Sequence, residues 1–172
     1  CPATPVLDTR TDFGGYAPDD YNGASGKYMS VRYALAHSVN IPAVRILNEL
    51  GVARGTDYLA GMDLDVPDED KSLALALGGM STGFRLPELA DGYATLACGG
   101  SFTPSATIEH VTDGKNRTLY QREVRHRKVF SEDVCWLTND MLMTAAQEGT
   151  AKRLKSLPFP ICAKTGTAGT DS

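Results

Sequence analysis

Two short polar motifs hold the residues of this sequence that could do acyl-transfer chemistry. The first is Ser38-Val39-Asn40 and the second is Lys164-Thr165-Gly166-Thr167. A serine hydroxyl can relay protons, and an asparagine amide can bind a peptide carbonyl. A lysine ammonium and threonine hydroxyls can bind a carboxylate, while a glycine leaves room for the backbone of an extended peptide. The set lacks a nucleophile with an activating base, which acyl transfer also requires.

The two motifs differ in how much information they carry. A serine and an asparagine two positions apart arise easily by chance, whereas Lys-Thr-Gly is a rarer combination for this composition. Ser38 and Asn40 also have a purely structural interpretation, in which they end one helix and start the next. From these residues alone, both interpretations stay open.

The hydrophobic pattern predicts helices on both sides of the first motif. Ser30 is a good N-cap for a helix that runs towards Ser38. Pro42 suits the first turn of the following helix, and Gly51 ends that helix. Further helical patterns follow, so residues 30–100 are predicted to be the helical part of the chain.

The other segments are predicted from composition and periodicity: an extended, turn-rich segment, a β-hairpin region, a helix, and a short strand that carries the second motif. Their ranges are 1–29, 101–130, 131–149 and 159–170. Without a linker or a repeat among them, the segments form a single partial domain over residues 1–172. The predicted class is α+β, rich in helix and with a short antiparallel sheet edge.

Composition argues against several kinds of protein. The chain has 172 residues, 42% of them hydrophobic, and a net charge of −4, which predicts no nucleic-acid partner. The basic run Arg122–Lys128 is interpreted as a solvated hairpin or loop. Apolar stretches stay well short of the ~18 residues that a membrane span needs. The four cysteines and three histidines lack metal-ligand spacing, so neither a metal nor a cofactor is expected.

S-x-N followed by K-T-G resembles the signature of the penicillin-recognising serine transferases and hydrolases, which also carry an upstream S-x-x-K. The flanking sequence is similar to class A (bifunctional) penicillin-binding proteins over nearly the whole chain, in the order of that family. The matching segments are Tyr16–Gly23, Ser30–Leu35, Ser38–Val44, Leu77–Gly79, Pro87–Ala94, Gly99–Gly100 and Gly149–Ala151. The resemblance implies the penicillin-binding protein transpeptidase / serine β-lactamase-like fold with an incomplete antiparallel sheet.

The same resemblance implies a D-alanyl-D-alanine transpeptidase, which cross-links peptidoglycan stem peptides through a serine acyl-enzyme and is acylated by β-lactams. Carried over by position, Ser38 would relay protons, Asn40 would bind the substrate amide and Lys164 would supply positive potential. These are the expected catalytic residues. The family acts at the extracytoplasmic face of the bacterial cytoplasmic membrane, with an anchor elsewhere in the protein.

The resemblance also assigns substrate-binding roles to the second motif. Thr165 and Thr167 would hold the terminal carboxylate, and Gly166 would let the substrate strand approach. The backbone N–H of Thr167 would form half of the oxyanion hole. Loss of one such donor typically costs about 10²–10³ in rate, which sets the scale of that role.

Three features depart from the family pattern. No Ser is followed three positions later by Lys, the chain stops five residues after Thr167, and Ala163 replaces the usual Gly before the lysine. We therefore expect an excised, inactive part of a longer membrane-anchored protein. The edge of its Lys164 strand would be open, and self-association through that edge is expected.

Three alternatives compete with the transpeptidase interpretation. The first is a serine β-lactamase: class A enzymes use a Glu-x-x-x-Asn spacing for deacylation, and this spacing does not occur here, whereas other β-lactamase classes work differently. A non-catalytic module that binds peptide or muropeptide would not need to keep Ser38, Asn40 and Lys164 together. An unrelated helical interaction domain would carry both motifs by chance only, which the flanking matches oppose.

Overall fold

The computed structural model describes residues 1–166, which form five α-helices, three short 3₁₀ helices and three two-stranded antiparallel sheets. The strands are β1 (Pro5–Asp8), β2 (Lys27–Ser30), β3 (Ser101–Phe102), β4 (His110–Thr112), β5 (Thr118–Gln121) and β6 (Arg127–Lys128). The α-helices are α1 (Val31–His37), α2 (Asn40–Leu50), α3 (Val52–Ala60), α4 (Leu86–Ala97) and α5 (Glu132–Gln147). The 3₁₀ helices are Asp68–Asp70, Leu73–Leu77 and Lys152–Ser156.

The N-terminal segment, predicted only as extended and turn-rich, contains a regular sheet. β1 pairs with β2 from Pro5 opposite Ser30 to Asp8 opposite Lys27. Within β1 the side chains of Val6 and Asp8 are buried, and β2 is mostly exposed. Because a strand with so few apolar positions has little periodicity, the sequence alone did not locate it.

The first two helices follow the predicted signals closely. The Ser30 hydroxyl accepts a hydrogen bond from the backbone N–H of Tyr33 at 3.1 Å, which confirms Ser30 as the N-cap of α1. Pro42 lies in the first turn of α2, where its missing N–H costs no helical hydrogen bond. Gly51 follows α2 with a φ of 88°, a backbone conformation that favours glycine.

Helix α1 packs against α5, and a single arginine joins the two helices. The Arg32 guanidinium donates to the Thr144 hydroxyl at 2.8 Å and to the backbone carbonyl of Asp140 at 3.2 Å, and it pairs with the Asp140 carboxylate. Because these groups are only partly exposed, solvent screens the ion pair less than it would on an open surface. The bond network fixes the position of α1 on α5.

A hydrophobic cluster lies against α3 and α4. Met62, Leu64 and Phe102 are its buried members, and partly buried aliphatic and aromatic side chains pack around them. Phe102 places β3 in this cluster. β3 pairs with β6, and β4 pairs with β5 to form the predicted hairpin, with a register shift after Val111.

The basic run Arg122–Lys128 is mostly exposed, as its interpretation as a solvated segment requires. Its last two residues form β6. Cys1, Cys98, Cys135 and Cys162, all within the described residues, are free thiols. Across residues 1–166, every helix falls short of the length and apolarity that crossing a membrane requires.

The strand predicted at residues 159–170 is not present in its described part, residues 159–166. A strand needs a neighbouring strand to satisfy its backbone, and this segment instead lies on a helix: the N–H of Ala163 donates to the carbonyl of Leu142 in α5 at 3.3 Å. The rest of the predicted strand lies outside the described residues. The expected self-association through an open strand edge therefore has no support in the structure.

Gly149 should tolerate no larger side chain, because a Cβ built there would lie 2.1 Å from the carbonyl oxygen of Ala36. We predict that Gly149→Ala lowers the free energy of unfolding by about 1–3 kcal/mol, the usual cost of overpacking. Urea unfolding followed by circular dichroism measures this. Gly114→Ala is the matched control, because a Cβ at Gly114 meets nothing within 4 Å. Equal stability of the two variants would contradict the prediction.

Candidate functional site

Ser38 occupies a strained turn between α1 and α2. Its φ and ψ are 57° and 44°, the left-handed helical region, and its N–H caps α1 by donating to Leu35 at 3.2 Å. For a residue with a Cβ this conformation costs roughly 1–2 kcal/mol. Strain of this kind is concentrated at functional sites, where surrounding structure holds it in place. The turn leaves the Ser38 side chain exposed.

The second motif meets the first at this turn. The Lys164 ammonium donates to the Ser38 hydroxyl at 2.6 Å and to the backbone carbonyl of Thr165 at 2.9 Å. The two residues are 126 positions apart in the sequence. The structure therefore brings together two of the three predicted catalytic residues.

The charge of Lys164 is not neutralised locally. Within the described residues, no carboxylate lies within ion-pair distance of its ammonium. Partial burial lowers the pKa of Lys164 from its ordinary value of 10.5, because desolvation disfavours the charged form. An unpaired ammonium beside a serine hydroxyl can attract a carboxylate and can exchange protons with that hydroxyl.

Thr165 is held by a residue that the sequence analysis gave no role. Its hydroxyl donates to the hydroxyl of Thr150 at 2.7 Å, and the N–H of Thr150 donates to the Ala36 carbonyl at 3.0 Å. The chain after α5 is thus tied to the end of α1. Thr150 belongs to the Gly149–Ala151 segment, whose match to the family was the only sequence signal for it.

Asn40 is fixed by the loop between β1 and β2. Its backbone N–H donates to Asp20 Oδ1 at 2.6 Å, and the N–H of Ile41 donates to the same oxygen at 3.1 Å. The side-chain nitrogen of Asn40 donates to the carbonyl of Asp19 at 2.7 Å. The amide nitrogen is therefore directed towards the loop, and no hydrogen bond among the described residues joins Asn40 to Lys164.

Of the two remaining predicted binding residues, Gly166 is the last described residue and Thr167 follows it. Gly166 is exposed, and a Cβ there would meet nothing within 4 Å, so the backbone is accessible to an approaching ligand. Thr167 lies outside the described residues, and its expected part in an oxyanion hole stays a prediction. Two cavities in the described chain lie elsewhere, one between α5 and Ile161 and one beside Met62. The cluster around Ser38 is an open surface.

Comparison with known sequences places this cluster in a family. The family model described as the penicillin binding protein transpeptidase domain matches residues 6–172. Penicillin-binding protein 1F of Bacillus subtilis (strain 168) is 33% identical over 150 residues, which cover 87% of this chain and 21% of the relative. Penicillin-binding protein 1A of Streptococcus pneumoniae is 29% identical over 174 residues, covering 96% of this chain and 24% of the relative. The chain thus spans about a fifth to a quarter of these relatives.

Solved structures share the fold. Penicillin-binding protein 1A from Haemophilus influenzae superposes with a TM-score of 0.70 at 21% identity, covering 91% of this chain and 29% of that one. A ceftriaxone acyl-enzyme complex of penicillin-binding protein A from Mycobacterium tuberculosis gives 0.79 at 19% identity, covering 99% and 44%. The predicted α+β transpeptidase fold is confirmed.

The relatives of the 1A and 1F types also confirm the resemblance to class A penicillin-binding proteins. The matched family region includes every residue of both motifs. The chain belongs to the family of penicillin-binding protein transpeptidase domains.

Proposed function

We propose that this chain supplies the proton-relay and carboxylate-binding side of a D-alanyl-D-alanine transpeptidase site. The single observation that carries the proposal is the Lys164–Ser38 hydrogen bond of 2.6 Å, which unites the two motifs. In this proposal the nucleophilic serine and its lysine partner come from an S-x-x-K outside this sequence. The whole protein would be anchored in the cytoplasmic membrane and would cross-link peptidoglycan at its extracytoplasmic face.

The proposed reaction has two acyl-transfer steps. The external serine attacks the carbonyl between the two D-alanines of a stem peptide, and the terminal D-alanine leaves as the peptide bond breaks. The amine of a second stem peptide then attacks the serine ester, and the serine oxygen leaves. Each attacking group loses a proton and each leaving group gains one, so a relay is required in both steps.

Four residues of this chain would serve those steps. The Ser38 hydroxyl, which accepts a hydrogen bond from Lys164, would pass the proton to the leaving D-alanine nitrogen. The ammonium of Lys164 would stabilise negative charge on the reacting carbonyl and on the substrate carboxylate. Thr165, whose hydroxyl donates to that of Thr150 in the free site, would turn this hydrogen to the substrate carboxylate and accept a hydrogen bond from Thr150 instead. Asn40 would bind the substrate amide.

A β-lactam is the natural probe of this site. One structural neighbour is described as a ceftriaxone acyl-enzyme complex. The same chemistry is proposed for the protein that carries this chain. Acylation by a fluorescent penicillin then reports the first half of the reaction without a peptide substrate.

Replacing the Ser38 hydroxyl should separate activity from stability. In the longest natural form of the protein, Ser38→Ala and Ser38→Gly should both slow acylation by fluorescent penicillin by about 10²–10⁴, the usual worth of a positioned acid–base group. Ser38→Gly should also unfold less readily than Ser38→Ala, by roughly 1 kcal/mol, because glycine adopts the positive φ without strain. Ser156→Ala, an exposed serine in a 3₁₀ helix, is the control. Wild-type rates in both Ser38 variants would refute the relay.

The pH dependence of acylation should report Lys164. If its positive charge is required, the rate falls as pH rises through the Lys164 pKa, which burial places below 10.5. Lys164→Arg keeps the charge to much higher pH, so this alkaline decline should disappear even though the rate at neutral pH is lower. Rates of penicillin acylation between pH 6 and 11 test this. The same decline in both proteins would assign it to another group.

The 172-residue chain by itself should form no covalent penicillin adduct, because it contains no S-x-x-K. Incubation with fluorescent penicillin followed by denaturing electrophoresis measures this. The longest natural form of the protein is the positive control. A stoichiometric, denaturation-resistant adduct on the 172-residue chain would show that the nucleophile lies within this sequence.

A further inference from the structure

Two carboxyl groups meet between β1 and the loop that follows it. Asp8 Oδ1 and Asp20 Oδ2 are both buried and have no hydrogen-bond donor among the described residues. The other oxygens of the two groups are occupied: Asp8 Oδ2 accepts from the N–H of Ser25 at 2.8 Å, and Asp20 Oδ1 accepts from Asn40 and Ile41. The Asp8 and Asp20 side chains are close enough to influence each other's pKa, and a hydrogen bond between them requires that one carboxyl be protonated.

A proton between the two carboxyl groups resolves this arrangement. Ionised carboxylates only accept hydrogen bonds, so two of them cannot satisfy each other, and burying both adds repulsion to the cost of desolvation. A protonated carboxyl donates one hydrogen bond to its neighbour. The two oxygens that lack a donor are then satisfied together.

The surroundings place the proton on Asp20. Burial raises the pKa of Asp20, and its hydrogen bond with Asp8 raises it further. Burial also raises the pKa of Asp8. The hydrogen bonds from Ser25 and from Asp20 outweigh this effect, so the pKa of Asp8 is lowered. Two interacting groups of this kind titrate as a pair, in two separate steps.

Charged side chains on the neighbouring elements bind other groups than the Asp8 and Asp20 carboxyls. Lys27 stands opposite Asp8 on β2, Arg45 on α2 binds the Leu7 carbonyl, and the Arg10–Asp19 ion pair lies on the loop surface. Among the described residues, none of these groups forms an ion pair or hydrogen bond with either buried carboxyl. The proton is therefore the one positive partner available to the pair.

We propose that Asp8 and Asp20 share one proton and that Asp20, held in this way, is a positioning residue for Asn40. Asp8 belongs to the β1–β2 sheet, and Asp20 binds the first two N–H groups of α2. The acid pair thus fastens the start of α2 to the sheet. Loss of the proton puts two buried negative charges together and releases this attachment. The consequence for catalysis rests on the proposed function; the shared proton does not.

Hydrogen exchange at the N–H groups of Asn40 and Ile41 tests the pair directly, in the longest natural form of the protein. Local opening lets both carboxyls ionise, so the closed state holds one more proton in the interval between the ordinary carboxyl pKa of 3.8 and the raised one. The free energy by which that proton stabilises the closed state against local opening is present at low pH and is lost as pH rises through the raised pKa. Protection, corrected for intrinsic exchange, should fall by up to about tenfold per pH unit in that interval.

Asp20→Asn should abolish this dependence. The asparagine nitrogen donates to Asp8 at every pH, while its oxygen still accepts from Asn40 and Ile41. Protection in this variant should be flat from the ordinary carboxyl pKa of 3.8 up to pH 9, and above the raised pKa it should be higher than in the wild type. Asp8→Asn should flatten the profile in the same way and serves if the first variant does not fold. Asp12→Asn, which changes an exposed carboxylate of the same loop, should keep the wild-type slope.

Penicillin acylation of the same proteins tests the positioning role. Relative to wild type, Asp20→Asn should gain rate as pH rises, in parallel with its gain in protection. Equal slopes of protection in wild type and Asp20→Asn, or lower protection of Asp20→Asn at pH 8, would overturn the shared proton. Altered protection with unaltered acylation would overturn the positioning role. Absence of acylation in every protein, with the exchange profiles as expected, would overturn the proposed function and leave the acid pair standing.

Discussion

The end of α1 receives hydrogen bonds from a part of the chain more than a hundred residues away, and the geometry of the site depends on that meeting. The Ala36 carbonyl accepts from the N–H of Thr150, the Thr150 hydroxyl binds Thr165, and the adjacent Lys164 reaches Ser38. Together these hydrogen bonds link the end of α1 to the chain after α5. The meeting needs close backbone approach, which Gly149 permits because it has no Cβ.

Unfavourable terms are concentrated around the same turn. Ser38 holds a left-handed backbone, Lys164 is partly desolvated with no carboxylate partner among residues 1–166, and Asp8 and Asp20 bury two acidic groups side by side. None of these features stabilises the fold by itself. They persist because the surrounding backbone is fixed by the β1–β2 sheet, by the hydrogen bonds of Arg32 and by the buried faces of α1 and α5.

Strain and desolvation of this kind have a common chemical use. A serine held away from its relaxed backbone conformation presents its hydroxyl at a fixed place, and a lysine with a lowered pKa exchanges protons more readily near neutral pH. The start of α2, which carries Asn40, is held by the Asp20 carboxyl group rather than by a side chain of the N-cap residue, Val39. The two motifs are therefore preorganised by groups outside both of them.

The sequence by itself determined the features that depend on local chemistry. Ser30, Pro42 and Gly51 mark helix boundaries because capping and backbone preference act within a few residues, and those elements lie where they were predicted. Motif order together with the flanking matches was enough to recognise the family resemblance. The Lys164–Ser38 contact also follows from the family resemblance, although no local pattern required it.

Only the tertiary structure decided the rest. A strand forms when a partner is in place, so β1 and β2 were missed, and the segment at 159–166 lies on α5 instead of in the predicted strand. Asp20 and Thr150 gain their roles from neighbours distant in sequence, which no spacing rule reveals. Whether two carboxyl groups share a proton depends on burial and on which donors remain, and both are set only when the loop closes on α2.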